Sequence, residues 1–263
     1  MHNFDFVKPA SIADAVKALA AEGAQALSGG QTLLPTMKQR LAAPAVLVSL
    51  TGIAELQRVG KGEGGLHVGA AATHATVARE AAGLYPALAA LAGGIGDPAV
   101  RNRGTIGGSL ANNDPAACYP AGVLGSGATV VTDRRQIAAD DFFQGLFTTA
   151  LEEGEIITEV RFPIPERAAY VKFQQPASRF ALTGVFVARS DAGVRVAVTG
   201  AGQGGVFRWT EAEAALARSF SPDAIGDLSV SPDDMISDLH GSAAYRANLV
   251  KVLTARAVAS AAG

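Results

Sequence analysis

Hydrophobic and polar positions change period along this chain in an order that lays out most of its elements. Phe4, Phe6 and Val7 predict a short edge strand ended by Pro9. Ser11 is a helix cap, with Asp14 in the first turn and Ile12, Ala15, Val16 and Leu19 on one face; Gly23 stops that helix. Ala24 to Leu27 reads as a strand, Ser28 to Thr32 as a loop, and Leu33 to Leu41 as a helix that tolerates Pro35 in its first turn. Ala45 to Leu50 is a buried strand. Leu56–Gly60 and Leu66–Ala70 form a hairpin around Gly62-Glu63-Gly64-Gly65. Helices are expected at Thr73–Ala82 and Leu84–Ala92.

The run from Gly93 to Asn113 is rich in glycine and reads as a long loop. Asp114-Pro115 supplies a cap and first helical residue for a helix through Leu124. Strands at Ala128–Thr132 and Ile156–Phe162 flank a short segment, Asp140 to Phe147. Phe162-Pro163-Ile164-Pro165 marks a domain end. Beyond it, Tyr170–Gln174, Leu182–Arg189, Val194–Thr199 and Val206–Trp209 predict an antiparallel sheet. Thr210-Glu211-Ala212-Glu213 is a capping box. Ser242 to Ala262 is a long helix with Tyr245, Leu249, Val252, Leu253 and Ala257 on one face.

Composition narrows the class. The chain has 263 residues, 49% of them hydrophobic and 17% charged, enough for a folded protein of two domains. A net charge of −2 argues against a nucleic-acid partner. One cysteine, Cys118, permits no intrachain disulfide and no iron–sulfur cluster held by this chain alone. The histidines (His2, His67, His74, His240) lack ligand-like spacing, so no metal site is expected. The first fifteen residues lack a secretory apolar stretch, and the uncharged run from Pro115 to Thr132 is broken by Pro120 and glycines. The expectation is a cytoplasmic protein with no integral membrane segment.

Candidate chemistry concentrates in two loops. Ser28-Gly29-Gly30-Gln31-Thr32 lies between a strand and a helix start, where backbone N–H groups suit a phosphate; a plain tight turn also explains its glycines. Arg101-Asn102-Arg103-Gly104-Thr105-Ile106-Gly107-Gly108-Ser109-Leu110-Ala111-Asn112-Asn113-Asp114-Pro115 offers backbone N–H groups with little side chain in the way. Thr105, Ser109, Asn112 and Asp114 add groups for phosphate, ribose or a heteroaromatic ring. A structural loop is the alternative, but long glycine-rich loops in compact domains are more often functional. Arg101 and Arg103 either neutralise a diphosphate or lie solvated on the surface.

Other motifs carry less. Gly200-Ala201-Gly202-Gln203-Gly204-Gly205 fits the dinucleotide pattern GxGxxG, yet Val206 to Trp209 separate it from the next helix, so a hairpin connection explains it. Cys118 reads as a core residue. Asp140-Asp141 reads as the start of a short helix. No arrangement of nucleophile and base is present, so no catalytic side chain is expected.

Gly29-Gly30-Gln31-Thr32-Leu33-Leu34-Pro35 together with Arg101 to Gly108 resembles the FAD-binding medium subunit of molybdenum hydroxylases, the family of carbon monoxide dehydrogenase and xanthine dehydrogenase. Gly154-Glu155-Ile156-Ile157 through Pro163, Lys172-Phe173, Ala177 to Ala181 and Asp238 to Ser242 extend the resemblance over nearly the whole chain. It implies an α+β fold: a PCMH-type FAD-binding domain, 1–168, of two α+β subdomains (about 1–55 and 56–168), then a smaller C-terminal domain of antiparallel sheet plus helices, 169–263. By this resemblance Ser28, Gly29, Gly30, Gln31, Thr32 and Leu33 hold the diphosphate side of FAD. Thr105, Ile106, Gly107, Gly108 and Ser109 approach the flavin and diphosphate, with Asn112 and Asp114 as further contacts. Ile157 packs near the cofactor, and Phe180 stands where relatives place an aromatic residue beside the isoalloxazine. Gln174 replaces a lysine of several relatives, which removes a basic contact there; Lys172 is the nearby lysine counted among the cofactor residues.

The resemblance also implies a redox relay. A large molybdopterin subunit oxidises a substrate, a small iron–sulfur subunit passes electrons on, and this chain delivers them to an acceptor such as a quinone or NAD. The implied assembly is a dimer of heterotrimers. Two other readings stand beside it: a self-contained FAD-dependent oxidoreductase, and a non-catalytic nucleotide-binding module.

Overall fold

The computed structural model describes residues 1–262. The first sheet is parallel, with strands Asp5–Val7, Val46–Ser49 and Ala24–Leu27 in that spatial order. Helix Ile12–Leu19 starts as expected, Ser11 accepting the Asp14 N–H at 3.1 Å. Helix Leu33–Lys38 stops short of the expected Leu41, because Arg40 turns left-handed at φ 62°.

The second sheet runs Val59–Gly62, Gly65–Gly69, Ile157–Phe162, Thr129–Thr132, Gln136–Ala138, antiparallel throughout. Its hairpin begins at Val59 and not Leu56. Leu56 is instead buried in the 3₁₀ turn Ala54–Gln57, where its side chain fills a core. Strand Gln136–Ala138 was not expected. Helices His74–Glu80 and Pro86–Gly93 fall close to their expected places.

The glycine-rich run is not one loop. It contains the short helices Pro98–Arg101, capped by Asp97, and Ile106–Asn112, capped by Thr105. The second forms despite Gly107 and Gly108, because Ile106 and Leu110 are fully buried and that burial offsets a glycine cost of about 1 kcal/mol each. Asp114 opens no helix. Its Oδ1 accepts the Ala116 N–H at 2.8 Å in a turn, and the helix there is Tyr119–Ser126, with buried Cys118 just before it. Asn113 takes the left-handed cap at φ 42°. Its amide donates to the carbonyls of Gly145 (2.7 Å) and Thr148 (2.9 Å), holding the hairpin Phe143–Gly145/Thr148–Thr149.

The third sheet is an antiparallel meander of Arg167–Gln174, Ala181–Ser190, Gly193–Thr199 and Phe207–Arg208. The GxGxxG run connects its last two strands, as expected of a hairpin. Helix Thr210–Arg218 has Trp209, not Thr210, at its cap position. The expected capping box fails because Glu213 is buried and accepts the Val196 N–H (2.9 Å) and the Arg208 guanidinium (2.8 and 2.6 Å). Asp140, at the start of helix Ala139–Phe142, accepts from Arg195 at 2.6 Å; no cluster of metal-ligating side chains occurs among the described residues. No described helix is long and apolar enough to cross a membrane.

Both faces of the third sheet are covered. Phe186, Ala188 and Ala197 join the apolar cluster of Leu66, Leu88, Leu91 and Tyr119. Val185, Val187, Val196 and Val198 pack with Trp209, Leu216, Leu249 and Leu253 on the other side. The last helix, Ala243–Ala262, turns Leu249, Leu253 and Ala257 inward as its pattern predicts, but Arg246 is buried where Tyr245 was expected, and Tyr245 is exposed. The Arg246 guanidinium explains the exchange: it donates to the carbonyls of Leu182 and Gly200 and to both Asp238 oxygens at 2.8 Å. Arg246→Leu leaves the Gly200 carbonyl without a side-chain donor, while Leu182 O keeps Thr183 and Asp238 keeps the His240 and Gly241 N–H groups; we expect a stability loss of about 1–3 kcal/mol by urea denaturation.

Candidate cofactor site

The two loops meet. Ser28 leaves the end of strand Ala24–Leu27, and its Oγ lies 2.8 Å from Thr105 Oγ1, across a sequence separation of 77. The backbones touch as well. A Cβ on Gly29 would stand 2.2 Å from the Arg103 carbonyl oxygen, so only glycine fits there. The second loop is stitched to the second sheet: His74 N–H donates to Gly104 O (2.9 Å), Ile106 N–H to Ala72 O (3.2 Å) and Gly107 N–H to Ala70 O (2.9 Å). Thr105 Oγ1 also accepts the Gly108 N–H at 3.2 Å.

A cavity of about 850 Å³ opens at this junction, within the range of cofactor sites. One side is Ser28, Gly29, Gly30, Gln31, Thr32 and Leu33. Facing it are Thr105, Gly107, Gly108, Ser109, Asn112 and Asp114, with Ile157 and Phe180 completing the wall. Two expected contacts lie elsewhere. Ile106 is fully buried in the core beneath the loop. The Lys172 ammonium donates to the carbonyls of Gly94 (2.7 Å) and Arg179 (2.8 Å) and does not line the cavity. Neither arginine lines the cavity: Arg101 Nη1 donates to the carbonyls of Ile95 and Gly96, and Arg103 is exposed.

The wall also includes His74, Gly104, Leu151, Glu155 and Ile156, which sequence reasoning did not count among the cofactor contacts. Glu155 is a strut. Its carboxylate accepts from Thr132 Oγ1 (2.7 Å), Arg135 Nε (3.0 Å) and Glu152 N–H (2.8 Å), and the Arg135 bonds hold its pKa down to about 2 against the opposing effect of burial. His74 is buried, with Nδ1 unpartnered among the described residues. Burial first, and the Arg101 charge second, lower its pKa to about 4, so it is neutral at pH 7. No sequence signal pointed to His74: it falls in the expected helix Thr73–Ala82, and only the structure makes Thr73 the cap before it.

The donor chemistry fits a dinucleotide. The N–H groups of Gly29, Gly30, Gln31, Thr32 and Thr105 find no acceptor within the described residues, although all of these residues line the cavity. Backbone amides so arranged suit the oxygens of a diphosphate. Leu33, Leu151, Ile156, Ile157 and Phe180 supply an apolar surface for a flat ring system.

Comparison with known proteins agrees. Residues 2–165 match the family described as the FAD binding domain in molybdopterin dehydrogenase. The nicotine 6-hydroxylase medium subunit of Paenarthrobacter nicotinovorans is 38% identical, the match covering 97% of this chain and 96% of that one. The carbon monoxide dehydrogenase medium chain of Afipia carboxidovorans is 33% identical, covering 97% and 96%. A crystal structure of quinoline 2-oxidoreductase from Pseudomonas putida 86 superposes with a TM-score of 0.89 at 30% identity, covering 99% of this chain and 97% of that one. The chain belongs to the FAD-binding subunits of the molybdenum hydroxylase family. It is thus a subunit of an oxidoreductase complex, and its cofactor is FAD.

Two predictions follow from this geometry. Thr105→Val removes the bridge to Ser28 and the acceptor for Gly108. We expect about 1–3 kcal/mol less stability by urea denaturation, with a lower flavin-to-protein ratio after purification. For His74, the folded chain stays neutral down to about pH 4 while the unfolded chain gains a proton near 6.5. The unfolded state then binds more protons between those values, so stability is full above about pH 6.5 and falls by about 3 kcal/mol toward pH 4. In His74→Gln the slope between pH 6.5 and 5 should flatten.

Proposed function

We propose that this chain carries electrons within its complex, taking them from a partner iron–sulfur subunit and passing them to an external acceptor such as a quinone or NAD. On this reading a large molybdopterin subunit oxidises the substrate, and the complex is a dimer of heterotrimers in the cytoplasm. Bound FAD supplies the redox chemistry. The chain supplies binding and orientation: amides of the Ser28–Thr32 loop and Thr105 hold the diphosphate, Asn112 and Asp114 offer polar contacts, and Leu33, Ile157 and Phe180 pack against the flat parts.

The carrying observation is the meeting of two amide-rich loops in one cavity. A self-contained oxidase needs a base placed to take a substrate proton; Glu155 already accepts from Thr132, Arg135 and Glu152, and His74, its pKa lowered to about 4, is a weak base, which disfavours that reading. A bare nucleotide-binding module is disfavoured by the full-length similarity to dehydrogenase subunits.

The purified chain should be yellow, with about one FAD per chain. The FAD-loaded chain alone should oxidise no heteroaromatic substrate or carbon monoxide, whereas the reconstituted complex should reduce an added quinone or NAD. Turnover by the isolated chain would overturn the relay reading in favour of the oxidase. A colourless chain that binds only simple nucleotides would favour the module.

A further inference from the structure

The lysine that the cavity leaves out has a defined place. Lys172 lies near the end of strand Arg167–Gln174, where pairing slips: Phe173 faces Thr183, but Gln174 faces Ala181. Beyond the slip the chain makes the turn Gln175–Phe180, closed by Gln175 N–H to Phe180 O (2.9 Å) and Arg179 N–H to Gln175 O (2.8 Å). Arg179 stands at φ 64°, a left-handed conformation unfavourable for a side-chain-bearing residue, so the rest of the structure must hold it there. The next residue is Phe180, in the cavity wall.

The Lys172 ammonium reaches that turn. It donates to Arg179 O (2.8 Å), to Gly94 O (2.7 Å) just past helix Pro86–Gly93, and to Cys118 Sγ at 3.6 Å. An ammonium has three protons to donate, and these contacts use them all. A positive charge at a helix C-terminus is also favourable, because the last carbonyls there are unpaired and carry the negative end of the peptide dipoles.

We propose that Lys172 is a positioning residue, whose ammonium latches the Gln175–Phe180 turn to the end of helix Pro86–Gly93 and so keeps Phe180 in the cavity wall. The latch itself is a property of the chain without cofactor. Its consequence for a bound flavin rests on the FAD reading of the cavity.

Limited trypsin digestion of the full chain without FAD reads the latch directly, by cleavage after Arg179. Lys172→Met should be cut there at least tenfold faster than the native chain, with the other sites, apart from position 172 itself, unchanged. Lys172→Arg keeps charge and donors and should stay within threefold of native. Equal rates in native and Lys172→Met, or equal exposure of Lys172→Arg and Lys172→Met, overturns the latch. Should Lys172→Met fail to fold, hydrogen exchange on the native chain decides: the Gln175 and Arg179 amides should exchange at least a hundredfold slower than in a free peptide, and free-peptide rates overturn it.

Iodide quenching of the flavin in FAD-loaded chains tests the consequence. The quenching constant should rise at least twofold in Lys172→Met. An unchanged constant beside faster cleavage overturns the placement of Phe180 against the cofactor. Failure of the native chain to take up FAD would refute the functional reading, while the digestion still decides the latch.

Discussion

The hydroxyls of Ser28 and Thr105 share one hydrogen bond, and the site depends on the join it marks. Ser28 ends a strand of a parallel sheet, where loops at strand carboxyl ends commonly gather ligands. Thr105 is tied to the margin of a separate antiparallel sheet through Ala70, Ala72 and His74. Each loop alone is a surface turn. Brought into backbone contact at Gly29 and Arg103, they make a single concave wall rich in backbone amides.

The electrostatics of that wall follow from what its neighbours hold. No lysine or arginine lines the cavity among the described residues. Arg101 is bound to carbonyls of its own turn, Arg135 to Glu155, and Lys172 to Gly94 and Arg179. On the proposed reading a diphosphate is met by oriented peptide dipoles and hydroxyls and not by formal charges. Peptide donors neither titrate nor search rotamers, which suits a cofactor that stays bound while its electron count changes.

Much of this was legible in the sequence. The Ser11 cap came from local hydrogen-bonding chemistry, and so survived into the structure. The two glycine loops were visible through their composition, although a plain turn would also explain the first of them. What escaped was set by contacts distant in sequence. Ile106–Asn112 looks like loop to any local rule, and becomes helical because Ile106 and Leu110 are buried under it. Glu213 carries a capping pattern, but a bare strand N–H at Val196 and the Arg208 guanidinium outcompete the helix end for its carboxylate. Lys172 has the chemistry of an anion contact; only the fold reveals two nearer carbonyls.

The third sheet has a wider consequence. Phe186, Ala188 and Ala197 complete an interior whose other walls come from Leu66 to Tyr119, so one hydrophobic mass spans the segment that binds FAD and the segment that follows it. Shuffling between relatives would therefore have to preserve a three-dimensional mould rather than a hinge. The C-terminal third is constrained to evolve in step with the flavin-bearing part, because one face of its sheet is covered only by that part's side chains.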